Sequence, residues 1–244
     1  MAEEAPRYRR ILLKLSGEAL MGSAAYGIDP IVLSSLAKEL SQLRNLGVQV
    51  GIVIGGGNIF RGVAGVAQGF DRVRADQMGM LATMINALAL SEALLSHAVP
   101  AKVLSAYEIR GVLDPFSKEK AVSFLEEGYF VVLAAGTGNP FFTTDTAATL
   151  RALEIEAEIL FKATKVDGVY SADPVKDPTA QKFDYLSYEE VLARNLRVMD
   201  LTAISLAKDH NLPVLVFSMQ EPGNIVKAVC GEKVGTLVGG ERHD

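Results

Sequence analysis

The sequence predicts an α/β protein: a three-layer α/β/α sandwich around an open, mostly parallel sheet. Three observations carry that prediction. Strand-length apolar runs alternate with helix-period segments along the whole chain. Two of the runs, VQVGIVI at 48–54 and VVLAA at 131–135, are nearly unbroken, the pattern of parallel strands covered on both faces. Glycine-rich loops follow both, at the strand ends where open α/β sheets bind ligands.

The first strand is RILLKLS at 10–16, ending in Ser16-Gly17. Lys14 is unusual inside it. It reads either as a solvated side chain on an edge strand or as a phosphate ligand lying over the Ser16-Gly17 amides. After a small-residue loop at 22–27, Asp29-Pro30 supplies an N-cap and a first-turn proline. Val32, Leu33, Leu36, Leu40 and Leu43 then form one apolar face, and Gly47 supplies the stop. The strand at 48–54 runs into Gly55-Gly56-Gly57-Asn58. Three glycines cost chain entropy, so they indicate a loop whose backbone must come close to something, and Arg61 stands within reach of it.

Residues 71–97 read as a long helix with Leu81, Met84, Ile85, Leu88 and Leu95 on its core side. Its most apolar part, 78–95, is broken by Thr83, Asn86, Ser91 and Glu92, which reads as a buried helix rather than a bilayer span. Asp76 in its first turns is either a dipole partner or an acceptor for sugar hydroxyls. A strand at 101–104 and a helix at 117–127 closed by Gly128 precede the strand at 131–135. Gly136-x-Gly138 then begins like a dinucleotide fingerprint, but Phe141 occupies the place of the third glycine. The loop instead leads into a helix opening at Thr143-Thr144-Asp145, whose free amides and dipole suit an anion. Further on come a strand at 159–161, an Asp167-Gly168 hairpin signal, and a turn-rich stretch through Asp173-Pro174. A Ser187-x-x-Glu190 capping box, an N-cap at Asp200 and a buried strand at 214–217 complete the order.

Several function classes are disfavoured. The net charge of -5 does not suit a nucleic-acid surface. The single Cys230 fits a reducing compartment, and His97, His210 and His243 lack metal-ligand spacing. MAEEAPRYRR shows no signal-peptide pattern, so a cytoplasmic protein is expected. There is no P-loop motif and no nucleophile elbow. What remains is glycine loops with Lys14, Arg61, Lys162, Lys165, Asp76, Asp145 and Asp200 at or beyond strand ends. That set suits phosphoryl transfer, which needs alignment and charge neutralisation more than covalent chemistry. An acceptor that is itself a phosphate is already ionised near neutrality and needs no general base. Asp145, set among lysines, would then orient ammonium groups rather than take a proton.

Six segments together resemble the amino acid kinase family: KLSGEAL at 14–20, IGGGNIFRG at 54–62, DQMGMLATMIN at 76–86, GTGNPFFTTDTAA at 136–148, KATKVDGVYSADP at 162–174 and MDLTA at 199–203. The likeness runs from about residue 8 to 239 and is nearest to the members that phosphorylate UMP. It implies one domain over 1–244, with an acceptor-side half at about 8–150 and an ATP-side half at about 151–240. It implies transfer of the ATP γ-phosphate to UMP with Mg²⁺, in a homohexamer. Lys14, Asp145, Lys162, Arg61 and Asp200 would be the catalytic set. ATP phosphates would lie on Lys14, Leu15, Ser16, Gly17, Gly57 and Arg61, with the nucleoside near Thr164, Tyr170 and Asp173. UMP is implied at Gly56, Asp76 and the loop of Thr137, Gly138, Asn139, Pro140, Phe141, Phe142, Thr143 and Thr144. Phe141 and Phe142 read equally as core anchors for that loop. Such enzymes respond to GTP as activator and UTP as inhibitor. The segment matching the GTP-linked loop is Gly22, Ser23, Ala24, Ala25, Tyr26 and Gly27. A family member acting on a carboxylate or carbamate, and a uridine-nucleotide sensor without turnover, stand as alternatives.

Overall fold

Strand β1 (Arg10–Leu15) sits in the middle of the sheet, and the rest of the chain is laid out on either side of it. The structure, a computed structural model, describes residues 5–67, 69–174 and 176–240. His243 lies outside them. A 3₁₀ turn (Gly17–Leu20) and helix α1 (Pro30–Asn45) lead to β2 (Gln49–Ile54). Then come α2 (Gly62–Ala67), α3 (Arg72–Ser96), β3 (Ala101–Ser105), β4 (Asp114–Pro115), α4 (Lys118–Glu126) and β5 (Phe130–Ala134). The second half comprises α5 (Thr144–Glu154), β6 (Ile159–Thr164), β7 (Val169–Tyr170), β8 (Lys182–Phe183), β9 (Tyr185–Ser187) and α6 (Tyr188–Ala193). It ends with α7 (Leu201–Asp209), β10 (Val214–Ser218), α8 (Asn224–Cys230) and β11 (Thr236–Gly239).

The nine-stranded sheet has the order β4-β3-β5-β2-β1-β6-β10-β11-β9. Every pairing in it is parallel except β10 with β11. Residues alternate between two cores along each central strand. Ile11, Leu13 and Leu15 face the core shared with α1, α3 and α8, while Leu12 faces the core shared with α4, α5, α6 and α7. The strand order reverses at β1: β2 lies on one side and β6, more than a hundred residues later, on the other. The crevice beyond the carboxyl ends of these strands is therefore the place where such a sheet binds ligands.

Local capping follows the sequence. Asp29 accepts from Ile31 N at 2.8 Å ahead of Pro30, Ser117 caps α4, and Ser187 and Glu190 form the capping box of α6. Two expectations fail. The Asp167-Gly168 turn does not join a hairpin with the preceding strand. β6 is already paired on both edges, by β1 and β10, so β7 finds its partner in β8 thirteen residues away. Helix α3 buries a different face from the one predicted. Ala75, Met80, Ala82, Thr83, Met84, Asn86, Ala87, Leu90, Ser91 and Leu94 are inside, whereas Leu81, Ile85 and Leu95 are about half exposed. Although α3 is long and apolar enough to cross a membrane, half of that stretch is buried in the protein, in keeping with the buried helix expected.

Candidate active site

Lys14 and Lys162 are partners in register on the adjacent strands β1 and β6. Their strand positions match Leu12 and Leu160, so both side chains leave the sheet on the α5 side. This disposes of Lys14 as a solvated residue on an edge strand: β1 is central and the Lys14 side chain is 11% exposed. Two ammonium groups side by side repel, and Asp145 in the first turn of α5 stands between them. Its Oδ1 lies 2.9 Å from Lys14 Nζ, and its Oδ2 accepts from Lys162 Nζ at 2.7 Å. Lys162 also donates to Val198 O at 2.6 Å.

Burial pushes the Asp145 carboxyl upward, but Lys14 and Lys162 outweigh it and hold the group below the ordinary aspartate value. Burial, reinforced by repulsion from Lys14, lowers the Lys162 ammonium against the pull of Asp145 and Asp200. Asp145 is thus a poor base and a strong anchor for two cations. Asp200 ties the next layer together. It caps α7 at Ala203 N (3.1 Å) and accepts from Thr146 Oγ1 at 2.9 Å and from Thr143 Oγ1. Thr143 Oγ1 in turn accepts from Asp145 N at 3.1 Å and Thr146 N at 3.2 Å, capping α5.

The glycine loops close in from the other side. A side chain at Gly17 would place its Cβ 2.3 Å from Gly55 O, and one at Gly56 would meet Gly79 O at 2.7 Å. The glycines are therefore demanded by close packing of one loop on another and on α3. Arg61 donates Nε to Gly57 O at 3.3 Å and pairs with Glu18. Leu15 is wholly inside the core, so it can offer a ligand only backbone.

The loop after β5 carries unusual backbone. Ala135 (φ 63°) and Phe141 (φ 72°) are left-handed without being glycine, beside Gly136 and Gly138. Both are held from α3: Ala135 N donates to Thr83 Oγ1 at 2.8 Å, and Phe141 N to Asp76 Oδ2 at 2.8 Å. Arg72 donates to the same Asp76 oxygen at 2.8 Å and lies over the Phe141 ring. Tyr107 Oη donates to Gly138 O at 2.8 Å, and Arg151 reaches Gly136 O at 3.3 Å. Gly56, Asp76, Thr137, Phe142, Thr143 and Thr144 share the lining of a cavity of about 130 Å³. Phe141 and Phe142 are 63% and 48% exposed, so neither anchors the loop in the core. Asn139 and Pro140 lie at its outer turn, where Thr137 Oγ1 accepts from Asn139 N.

Tyr170 and Asp173 line a separate cleft of about 430 Å³ with Arg194 and Arg197. Thr164, whose hydroxyl accepts from Val166 N at 2.9 Å, is not among the residues lining it. The loop from Gly22 to Gly27 is largely exposed, Tyr26 to 79%, and is anchored at Gly27. Thr83, Asn58, Asn86, Tyr107, Thr146 and Arg151 join the site without being distinguished as site residues by the sequence pattern. The signal available was a polar residue every third position, Thr83 and Asn86, inside an otherwise apolar helix.

The sequence model described as "Amino acid kinase family" matches residues 9–218. The chain belongs to the amino acid kinase family. It is 60% identical over 233 residues to a uridylate kinase of Ectopseudomonas mendocina (strain ymp), covering 96% of this chain and 94% of that one. It is 56% identical over 246 residues to a uridylate kinase of Legionella pneumophila (strain Paris), covering 100% and 99%. Among solved structures, the UMP kinase of Bacillus anthracis superposes with a TM-score of 0.93 at 39% identity, covering 96% of this chain and 97% of that one.

Proposed function

We propose that this chain transfers the γ-phosphoryl group of ATP to UMP, reversibly, giving ADP and UDP for pyrimidine nucleotide biosynthesis in the cytoplasm. The observation that carries the reading is the Lys14–Asp145–Lys162 bridge at the carboxyl ends of paired strands, flanked by amide-bearing loops and by the cavity at Asp76. It is supported by the likeness to uridylate kinases over nearly the whole chain.

In this reading ATP phosphates lie along Lys14, Leu15, Ser16, Gly17 and Gly57, with Arg61 exchanging Glu18 for a phosphate oxygen. The ATP nucleoside takes the cleft at Tyr170 and Asp173, near Thr164. UMP occupies the cavity bounded by Gly56, Asp76 and the loop at 137–144, so the acceptor half of the chain meets the ATP half across β1 and β6. The acceptor phosphate enters ionised and needs no base. The obstacle is repulsion between two anions, which the lysines and loop amides offset most strongly when charge spreads over the transferred group. Asp145 and Asp200 hold those cations and the start of α5 in place.

Among the described residues no three acidic, His or Cys side chains gather as a metal cage. The carboxylates of Asp145 and Asp200 are engaged by lysines and by threonine hydroxyls with an amide. Mg²⁺ would therefore enter on the ATP phosphates and water, as this ion prefers, and would neutralise phosphate charge there. Two further assignments complete the reading: GTP and UTP act as effectors, GTP through the exposed loop at Gly22 to Gly27. The chain assembles with itself as a hexamer. Met78, Leu81, Ile85 and Leu95, with half-buried Leu88, follow a heptad spacing along one flank of α3, the pattern of a helix that packs on another.

ADP release from ATP-Mg²⁺, with UMP, CMP, dTMP, glutamate, aspartate and carbamate offered separately, tests the reaction. Turnover with UMP is the expected result. Turnover on a carboxylate alone would overturn the acceptor assignment, and UMP binding without any turnover would make the protein a sensor.

A further inference from the structure

Two asparagine side chains lie behind the glycine loop and have no role in the reaction as described so far. Both are sealed from solvent, Asn58 at 2% and Asn86 at 0% exposure. They form a reciprocal amide pair: Asn58 Nδ2 donates to Asn86 Oδ1 at 2.9 Å, and Asn86 Nδ2 donates to Asn58 Oδ1 at 2.7 Å. The remaining hydrogen of each amide is also used. Asn86 donates to Gly55 O at 2.7 Å and Asn58 to Gly27 O at 2.9 Å, while Gly27 N returns a bond to Asn58 O at 2.8 Å. Gly17 presses on the same pair, since a Cβ there would stand 2.5 Å from Asn58 Oδ1.

An apolar pair of the same volume would fill this space but would withdraw the donors that serve Gly55 O and Gly27 O, so packing alone does not account for the amides. What the amides add is direction. They fix the backbone at Gly55, and with it Gly17, relative to α3. The same helix holds the acceptor loop through Thr83 and Asp76. We infer that Asn58 and Asn86 are positioning residues for phosphoryl transfer: they lock the loops at 16–17 and 55–57 to α3 and to the loop at 22–27, so that the nucleotide phosphates meet a cradle already in place. The inference deepens the proposed reaction and rests on it. A misplacement of about 1 Å in such a cradle costs on the order of 100-fold in rate. A purely structural pair would instead lower stability and leave the turnover of folded enzyme untouched.

The test compares the full-length protein with Asn86→Leu, which deletes the three bonds that Asn86 makes. ADP release with ATP-Mg²⁺ and UMP is measured at a temperature where melting curves show both proteins folded. The expected result is a kcat lowered at least tenfold, with KM for either nucleotide changed less than kcat. An unchanged kcat, or a loss no larger than the unfolded fraction, overturns the inference. Should Asn86→Leu not fold, Asn58→Ser decides, since it leaves the Asn86–Gly55 bond in place: a smaller fall, again in kcat, is expected, and none overturns it. If the wild-type protein is inactive with UMP, the acceptor assignment fails separately. Calorimetry with ATP-Mg²⁺ then decides: binding weakened at least threefold in the variant supports the cradle, and equal binding overturns it.

Discussion

Replacing Asp145 by Asn removes one charge and one of the two oxygens that face ammonium groups, with almost no change in volume. In the folded protein that carboxylate has Lys14 Nζ at 2.9 Å and Lys162 Nζ at 2.7 Å. At an effective dielectric of about 20, each contact has a gross attraction of about 6 kcal/mol. Desolvation consumes much of this, and breaking a buried pair costs about 3–5 kcal/mol net. Part of that loss is avoided if Lys162, already lowered by burial and by Lys14, sheds its proton. Losing one transition-state charge contact costs about 10²–10³ in kcat. Asp145→Asn is therefore expected to lower kcat by about 10²–10³ at neutral pH. Its activity should also decline at lower pH than the wild type's, because the lysine that must stay charged now loses its proton sooner. The assay is initial-rate ADP release with ATP-Mg²⁺ and UMP across pH 6–9, each rate corrected for folded protein. A kcat within threefold of wild type with the same pH profile would refute the idea that Asp145 works by holding the two ammonium groups.

Three other outcomes are expected. Tyr107→Phe removes the hydrogen bond to Gly138 O, worth about 1 kcal/mol; KM for UMP should rise a few-fold with kcat little changed, as initial rates will show. Ile85→Lys, on the exposed flank of α3, should shift the protein to a smaller assembly in light scattering, and an unaltered mass would remove that flank as the interface. In acid, the Asp145 contribution to stability should be intact above the ordinary value of 3.8 and lost as pH falls below it through the depressed folded value. Urea unfolding of Asp145→Asn should accordingly lack that component of the acid loss.

The parts legible in the sequence were those fixed locally. Nearly unbroken apolar runs gave the central strands, and Asp29-Pro30, Ser117, Thr143, Ser187 and Asp200 marked helix starts because a side-chain oxygen answers free amides within one turn. Lys14 inside an apolar strand signalled a site because a cation buried in a sheet needs a partner, whereas Lys162, expected just past a strand at 159–161, lies inside β6, which runs on to Thr164. Pairings between distant segments were not legible. Lys14 opposite Lys162 follows from strand order, which no local pattern states. The hairpin expected at Asp167-Gly168 failed on the same ground, because β6 had two better partners. The buried face of α3 is not legible because its apolar residues go nearly all the way round. Period alone does not tell the flank holding Leu81 and Ile85 from the one against the sheet, and Thr83 and Asn86, which read as interruptions, hold the loops of the site at Ala135 and Gly55.

The side-by-side placement of β1 and β6 also bears on how the protein comes into being. Strand β1 is made first and meets β2 after a single helical crossover, but its other edge stays open until β6 emerges some 150 residues later. Closing so long a loop is entropically costly and slow. The two lysines and the aspartate between them therefore come together only at that closure. During synthesis or refolding, catalytic competence should arrive late, after most helix has formed, so that a half-made chain presents loops able to touch a phosphate but no means of transferring it.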